Sequence, residues 1–157
     1  VHRLFEIYLK RAGQKIFESG IAKDSIKDLL LEFDIEEEVQ EYNLRLTDIL
    51  EKFINNPKFK EMSESAELIT ETTFDRLIGR DYISGIIDLL LITDSGVYII
   101  DYKTNAKWGN KEEFIENLIH LYKNQLNYYK DIVSKMVDKS ILGVYLYSTA
   151  IDAFIEV

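Results

Sequence analysis

The sequence predicts one α/β domain built around a mixed sheet, and three observations carry that expectation. Apolar residues recur at helical spacing through the first 55 positions. The middle of the chain turns to β-branched and aromatic strand sequence folded about a tight hairpin. A long helical stretch then precedes one or two short apolar strands. At 157 residues, 46% hydrophobic and 12% aromatic, the chain is long enough to bury a single core. We expect one domain over 1–157, with a helical part over 1–56 and a sheet core over 66–157, and find no internal repeat.

Leu4, Phe5, Tyr8, Leu9, Ala12, Ile16 and Phe17 predict an amphipathic helix over 1–18, stopped by Ser19-Gly20. Asp24 or Ser25 caps a second helix running to Phe33, with Ile26, Leu29, Leu30 and Phe33 as its stripe. A third helix spans 36–55, its early acids matching the positive end of the helix dipole. Asn55-Asn56-Pro57 ends it, Pro57 being the only proline. The segment AELITETTFDRLI, 66–78, reads as the first strand, and Gly79-Arg80-Asp81 as a turn. The second strand runs from Tyr82 to Ile92. Thr93-Asp94-Ser95-Gly96 is a hairpin turn into the third strand, Val97 to Lys103. A polar loop, TNAKWGNK, leads into a helix over 112–137, and strands follow at 140–148 and, at the sheet edge, 153–157.

Composition removes several chemistries. With no cysteine there is no disulfide, no thiolate-held iron–sulfur cluster and no thiol nucleophile, and this fits a cytoplasmic protein. No apolar run is long enough for a membrane helix, and no signal-peptide pattern is present. The formal charge of −9 argues against binding nucleic acid by bulk charge alone. It is unevenly spread: residues 1–100 hold 12 basic and 20 acidic groups, residues 101–157 hold 7 and 8. The start at Val1, mid-pattern and without methionine, suggests a domain excised from a larger protein.

The stretch SGIIDLLLITDSGVYIIDYKTN, 84–105, sets Asp88, Asp101 and Lys103 among apolar strand residues. Residues two apart in a strand share a face, so Asp101 and Lys103 project together. Asp88 and Asp101 lie about equally far from the hairpin turn and should be cross-strand neighbours. Two such carboxylates repel unless a cation intervenes, and Mg²⁺ (or Mn²⁺) suits carboxylates with a backbone carbonyl, here that of Tyr102. A nearby lysine would then orient or deprotonate a bound water. Asp88 and Asp101 by themselves better fit exposed acids at strand ends; Lys103 on the same face as Asp101 turns the reading to a working site. In the long helix, Leu118, Tyr122, Gln125, Tyr129, Ile132 and Met136 step by four and three, placing Gln125 on the inward seam or at its edge. The loop carrying Lys107 and Trp108 either stacks and neutralises a DNA strand or is simply solvated.

GIIDLLL…GVYIIDYKTN resembles the core of the PD-(D/E)XK nucleases, with Asp88 as first acid and Asp101-Tyr102-Lys103 as the D-x-K element. YKNQLNYY, 122–129, resembles the Y-x-x-Q-L-x-x-Y signature of RecB- and AddA-type nucleases. His2 in VHRLFEIYL resembles the histidine of that family's opening helix, and Glu71 the glutamate of its E-x-x-F strand, although Glu67 and Asp75 lie on the same strand. His120, the other histidine, belongs to the long helix. The resemblance implies a restriction-endonuclease-like core, αβββαβ with a mixed central sheet, plus extra N-terminal helices. It implies metal-dependent hydrolysis of DNA phosphodiesters. His2, Asp88, Asp101 and the Tyr102 carbonyl would hold the metal, with Lys103 catalytic, Glu71 and Gln125 in support, and Tyr129 packing or touching DNA. It also implies a superfamily 1 (UvrD/Rep-type) helicase on the same polypeptide, a second helicase–nuclease subunit, and a role in double-strand break repair. The alternative is an inactive nuclease fold kept for DNA-end binding or for holding other subunits together.

Overall fold

Among the described residues five strands form one sheet in chain order, and the one parallel pairing within it decides the architecture. The computed structural model describes residues 1–13, 20–35, 40–78 and 80–157. Its elements are α1 (His2–Ala12), α2 (Ile21–Glu32), α3 (Gln40–Asn55), α4 (Pro57–Ser63), β1 (Glu67–Ile78), β2 (Asp81–Ile92), β3 (Val97–Lys103), α5 (Lys111–Met136), β4 (Ile141–Ser148) and β5 (Ala153–Glu156). β1, β2 and β3 form an antiparallel meander, β3 and β4 run parallel, and β5 returns antiparallel at the edge. Parallel neighbours need a crossover, and α5 supplies it.

The sheet is covered on both faces. On one, Leu4, Phe5, Tyr8 and Leu9 of α1 join residues of α2 to α4 over Leu89, Leu91, Ile100, Tyr102, Tyr145 and Tyr147. On the other, Phe114, Leu118, Leu126, Tyr129, Ile132 and Val133 of α5 pack over Ile87, Leu90, Ile99, Val144 and Leu146. An aromatic cluster locks the first face. Phe53 of α3 stacks 4.3 Å from Phe5 and lies 5.0 Å from Tyr147 and 5.6 Å from Tyr102.

The strands, the hairpin turn and α5 follow the expected boundaries within a residue, while the helical part differs in three places. α1 ends at Ala12 because Gly13 takes φ +52, a left-handed conformation that suits glycine; Ile16 and Phe17 lie outside the described residues. α2 begins at Ile21, after Gly20, so Asp24 falls in its first turn and Ser25 is buried, bonding back to the Ile21 carbonyl. Pro57 does end α3, but it also opens α4, whose N-cap Asn56 accepts a bond from the Lys58 N–H. Proline at the first helical position lacks only a donor that would be unpaired there anyway. The expected start of α3 at Glu36 and the turn residue Gly79 lie outside the described residues.

One irregularity has no counterpart in the expected strands. Leu89 and Leu91 of β2 pack with α1 to α4, yet Ile87 packs with α5, so the in–out alternation reverses at Asp88. β1 reverses at the same level, since Leu68 packs on the first face and Phe74 on the second. Between them lies Glu71 at φ +54, flanked by the pairings Thr70 with Leu89 and Thr72 with Ile87. Beyond this joint β1 and β2 continue as a two-stranded ribbon, because β2 pairs with β3 only over 89–92.

Replacing the fully buried Phe53 by alanine removes the hub of the aromatic cluster. The expected loss is about 3–5 kcal/mol of unfolding free energy, read as a lower urea midpoint with an unchanged slope.

Candidate functional site

Tyr102 sends its ring into the core beneath α1, 4.8 Å from Phe5 and edge-on. With the ring fixed, both its peptide groups are fixed as well. Its N–H donates to Asp88 Oδ2 at 2.6 Å, and its carbonyl lies 2.8 Å from His2 Nε2, which donates to it. The same imidazole nitrogen is 3.5 Å from Asp88 Oδ2. The first residue of α1, the reversal point of β2 and the end of β3 therefore meet at one place. The His2 side chain is 44% exposed, so this place is open to solvent.

Asp101 and Lys103 project from the other face of β3 and form an ion pair with each other. Leu89 with Ile100 is the last pairing of β2 with β3, and Asp88 and Asp101 are the next residues beyond it on the two strands. Burial raises the Asp88 carboxyl to about 6, with the nearby charge of Asp101 adding to the effect and the Tyr102 N–H opposing it. Burial also raises Asp101, against the pull of Lys103. The Lys103 ammonium sits 4.0 Å from the centre of the Tyr122 ring, and the Tyr122 hydroxyl donates to Asn105 Oδ1 at 3.2 Å.

Glu71 stands beside this group, raised by burial and then by the charge of Glu6, and lowered by His2. Glu6 lies one turn after His2 on α1 and is held by Arg3 and Lys10. The sequence carries one signal for it: an acid four residues after a candidate histidine shares its helix face. Glu67 and Asp75 make no comparable approach among the described contacts.

The long helix corrects two expectations. Gln125 and Met136 are exposed, while Leu126 and Val133 take the buried positions, so the stripe is Phe114, Leu118, Leu126, Tyr129, Ile132 and Val133. At 3.6 residues per turn Gln125 and Met136 fall within the arc of that stripe, so their exposure follows from where they lie along the helix and not from its face. The Gln125 amide donates to the Tyr129 hydroxyl at 2.6 Å, and that hydroxyl donates to the Ile86 carbonyl at 3.0 Å. Tyr129 is 5% exposed, so it packs and anchors β2 two residues before Asp88, and offers DNA no surface. Lys107 and Trp108 are exposed on the 104–110 loop, outside the recess lined by His2, Tyr102, Lys103, Thr104, Asn105 and Tyr122.

Among the described residues no three His, Asp or Glu side chains already form a cation cage. Asp101 is turned onto Lys103 and Asp88 onto the Tyr102 N–H. The donor set nonetheless fits a hard divalent cation. Octahedral Mg²⁺ holds its ligands at about 2.0–2.1 Å, so neighbouring donors lie about 3 Å apart. His2 Nε2 stands at 2.8 and 3.5 Å from the Tyr102 and Asp88 oxygens. Two buried carboxylates with raised affinity for protons also gain most from a positive ion.

A family profile described as "PD-(D/E)XK nuclease superfamily" matches residues 1–151. The chain is similar to a Staphylococcus epidermidis protein named as one subunit of an ATP-dependent helicase/nuclease. The two are 28% identical over 148 residues, covering 83% of this chain and 12% of that protein. The protein of the same name from Staphylococcus carnosus is 30% identical over 139 residues, covering 79% and 11%. That from Levilactobacillus brevis is 38% identical over 76 residues, covering 48% and 6%. The chain thus spans a small fraction of the length of these relatives. A crystal structure of a Vibrio cholerae protein covers 93% of this chain and 41% of its own, at 12% identity and a TM-score of 0.38, too low to carry an argument.

Asp88 holds its proton more tightly folded, at about 6, than the ordinary 3.8. Between those values the folded state keeps a proton that the unfolded chain releases, so stability falls as pH rises through about 4 to 6. Asp88→Asn removes that cost. The metal-free variant should be more stable than the parent by about 1–3 kcal/mol at pH 7.5 and indistinguishable at pH 4, measured by urea unfolding at both.

Proposed function

The chain belongs to the PD-(D/E)XK nuclease superfamily, and from that premise we propose that it hydrolyses DNA phosphodiester bonds with the help of a divalent cation. Members of this superfamily generally use divalent metals. The observation that carries the reading is the meeting of Asp88, His2 and both peptide groups of Tyr102 at one solvent-open point beside the Asp101–Lys103 pair.

Asp88, Asp101, the Tyr102 carbonyl and His2 would hold Mg²⁺ or Mn²⁺. When bound, such an ion polarises the phosphate and lowers the pKa of a coordinated water. The protein's own groups do the remainder. Lys103 orients the attacking water or offsets the negative charge that grows on the phosphate as water adds and the ester bond breaks. Glu71 stands beside the same point to position water. Gln125 and Tyr129 work at a distance, fixing the Ile86 carbonyl and so the strand that presents Asp88. Lys107 and Trp108 form the exposed loop along which a single strand would lie.

The relatives are named as helicase/nuclease subunits. By that likeness this domain is the nuclease part of a helicase–nuclease acting in double-strand break repair, with a helicase on the same polypeptide and a second subunit beside it. A helicase that supplies the track also accounts for a nuclease of net charge −9. Among the described residues no helix is long and apolar enough to cross a membrane, and the setting we propose is the cytoplasm. The rival reading, an inactive module for DNA-end binding or for holding other subunits together, is disfavoured by the joint presence of Asp88, Asp101 and Lys103.

The test is degradation of end-labelled single-stranded DNA by the 157-residue chain in Mg²⁺ or Mn²⁺, beside Asp101→Ala and Lys103→Ala. Cleavage should fall at least about a hundredfold in each variant, the size seen when a group stabilising developing charge is removed. Equal cleavage by all three would overturn the assignment, and DNA binding without cleavage would favour the inactive module. His2→Ala should lose less, about tenfold, and need more metal for half-maximal rate.

A further inference from the structure

The Lys103 side chain has two partners of different kinds. One is the Asp101 carboxylate, which the proposed cation would also claim. The other is the uncharged face of Tyr122, with the ammonium 4.0 Å from the ring centre. A lysine stem has four rotatable carbons and keeps no fixed position without such a partner. A cation held by Asp101 repels the ammonium and weakens the first contact. The ring carries no net charge to compete for and keeps its attraction.

Tyr122 is tied at its other end as well. Its hydroxyl donates to Asn105 Oδ1, at the start of the 104–110 loop. The far end of that loop is fixed by the capping box of α5, in which Asn110 and Glu113 bond each other's backbone N–H groups. One side chain of α5 therefore touches both the lysine of β3 and the loop that follows it.

Resting on the nuclease reading above, we propose that Tyr122 is a positioning residue with two separable duties: its ring holds the Lys103 ammonium at the reaction centre, and its hydroxyl sets the 104–110 loop for the DNA strand. The two duties predict different losses. Tyr122→Phe keeps the ring and releases the loop, so kcat should stay within about twofold and KM for DNA should rise severalfold. Tyr122→Leu loses both, and kcat should fall by about 2- to 30-fold, the range that a cation–π contact spans. Tyr122→Trp should restore kcat toward the parent value.

A second readout needs no metal and no activity. In chain labelled with ¹³C-lysine, the Lys103 ε-methylene protons, assigned by their loss in Lys103→Arg, should resonate upfield under the ring current. The shift should persist in Tyr122→Phe and vanish in Tyr122→Leu, with circular dichroism confirming that both variants are folded. The proposal is overturned if the parent shows no upfield shift relative to Tyr122→Leu, or if Tyr122→Leu keeps the parent kcat. An inactive parent chain that still shows the shift would overturn the nuclease reading and leave the Tyr122 contact established.

Discussion

Tyr102 contributes its side chain to the core and its backbone to the site, and much of the remaining geometry depends on that division. The ring is wedged among Phe5, Phe53 and Tyr147, so the peptide on either side has no freedom to rotate. A strand alternates its side chains but not its backbone. A single residue can therefore be fixed from one face while its N–H and carbonyl serve a junction at the strand's end. Asp88 is held by the N–H and His2 by the carbonyl, so α1, β2 and β3 share one reference point. The aromatic packing that stabilises the helical face is thus the support for groups whose chemistry it does not touch.

Against that rigid support stand the charged groups, which are costly to the fold. Asp88 and Asp101 are buried near each other, and both resist ionisation mainly because of that burial. Lys103 relieves Asp101, and the Tyr102 N–H partly relieves Asp88. This arrangement is under-compensated at neutral pH. It is the condition in which a positive ion is most strongly bound and in which the free protein is least comfortable, a trade common to sites built for function.

The sheet was legible in the sequence because its strands are punctuated by strong signals. Thr93 to Gly96 fixes the hairpin, and counting outward from it reaches Asp88 and Asp101 one step beyond the Leu89–Ile100 pair. α5 was equally plain in extent, but not in which residues along its stripe are covered: Gln125 and Met136 share the arc of the buried residues and are exposed, while Leu126 and Val133 beside that arc's edge are buried. α4 escaped notice since proline reads first as a stop, and its role as the first residue of the next helix depends on Asn56 being a cap. The reversal at Asp88 and Glu71 was not readable at all. Nothing in IIDLLL or TETTF breaks the alternation locally; the flip follows from which helix covers each half of the ribbon. Site membership fared similarly. Asp101 and Lys103 are neighbours in sequence and could be paired by parity. His2 could be connected with Tyr102 only through a tertiary contact.

That contact joins residues 100 positions apart. Closing so long a loop is entropically unfavourable until much of the structure between its ends is in place, so the contact forms late in folding. The acids and the lysine of the β2–β3 hairpin can come together locally and early, but without the imidazole and without α1 packed against Tyr102. Integrity of the whole domain is therefore a condition for a complete centre. A chain still being synthesised, or one cut between α1 and the sheet and separated, carries the reactive hairpin in a form that cannot assemble its full set of donors.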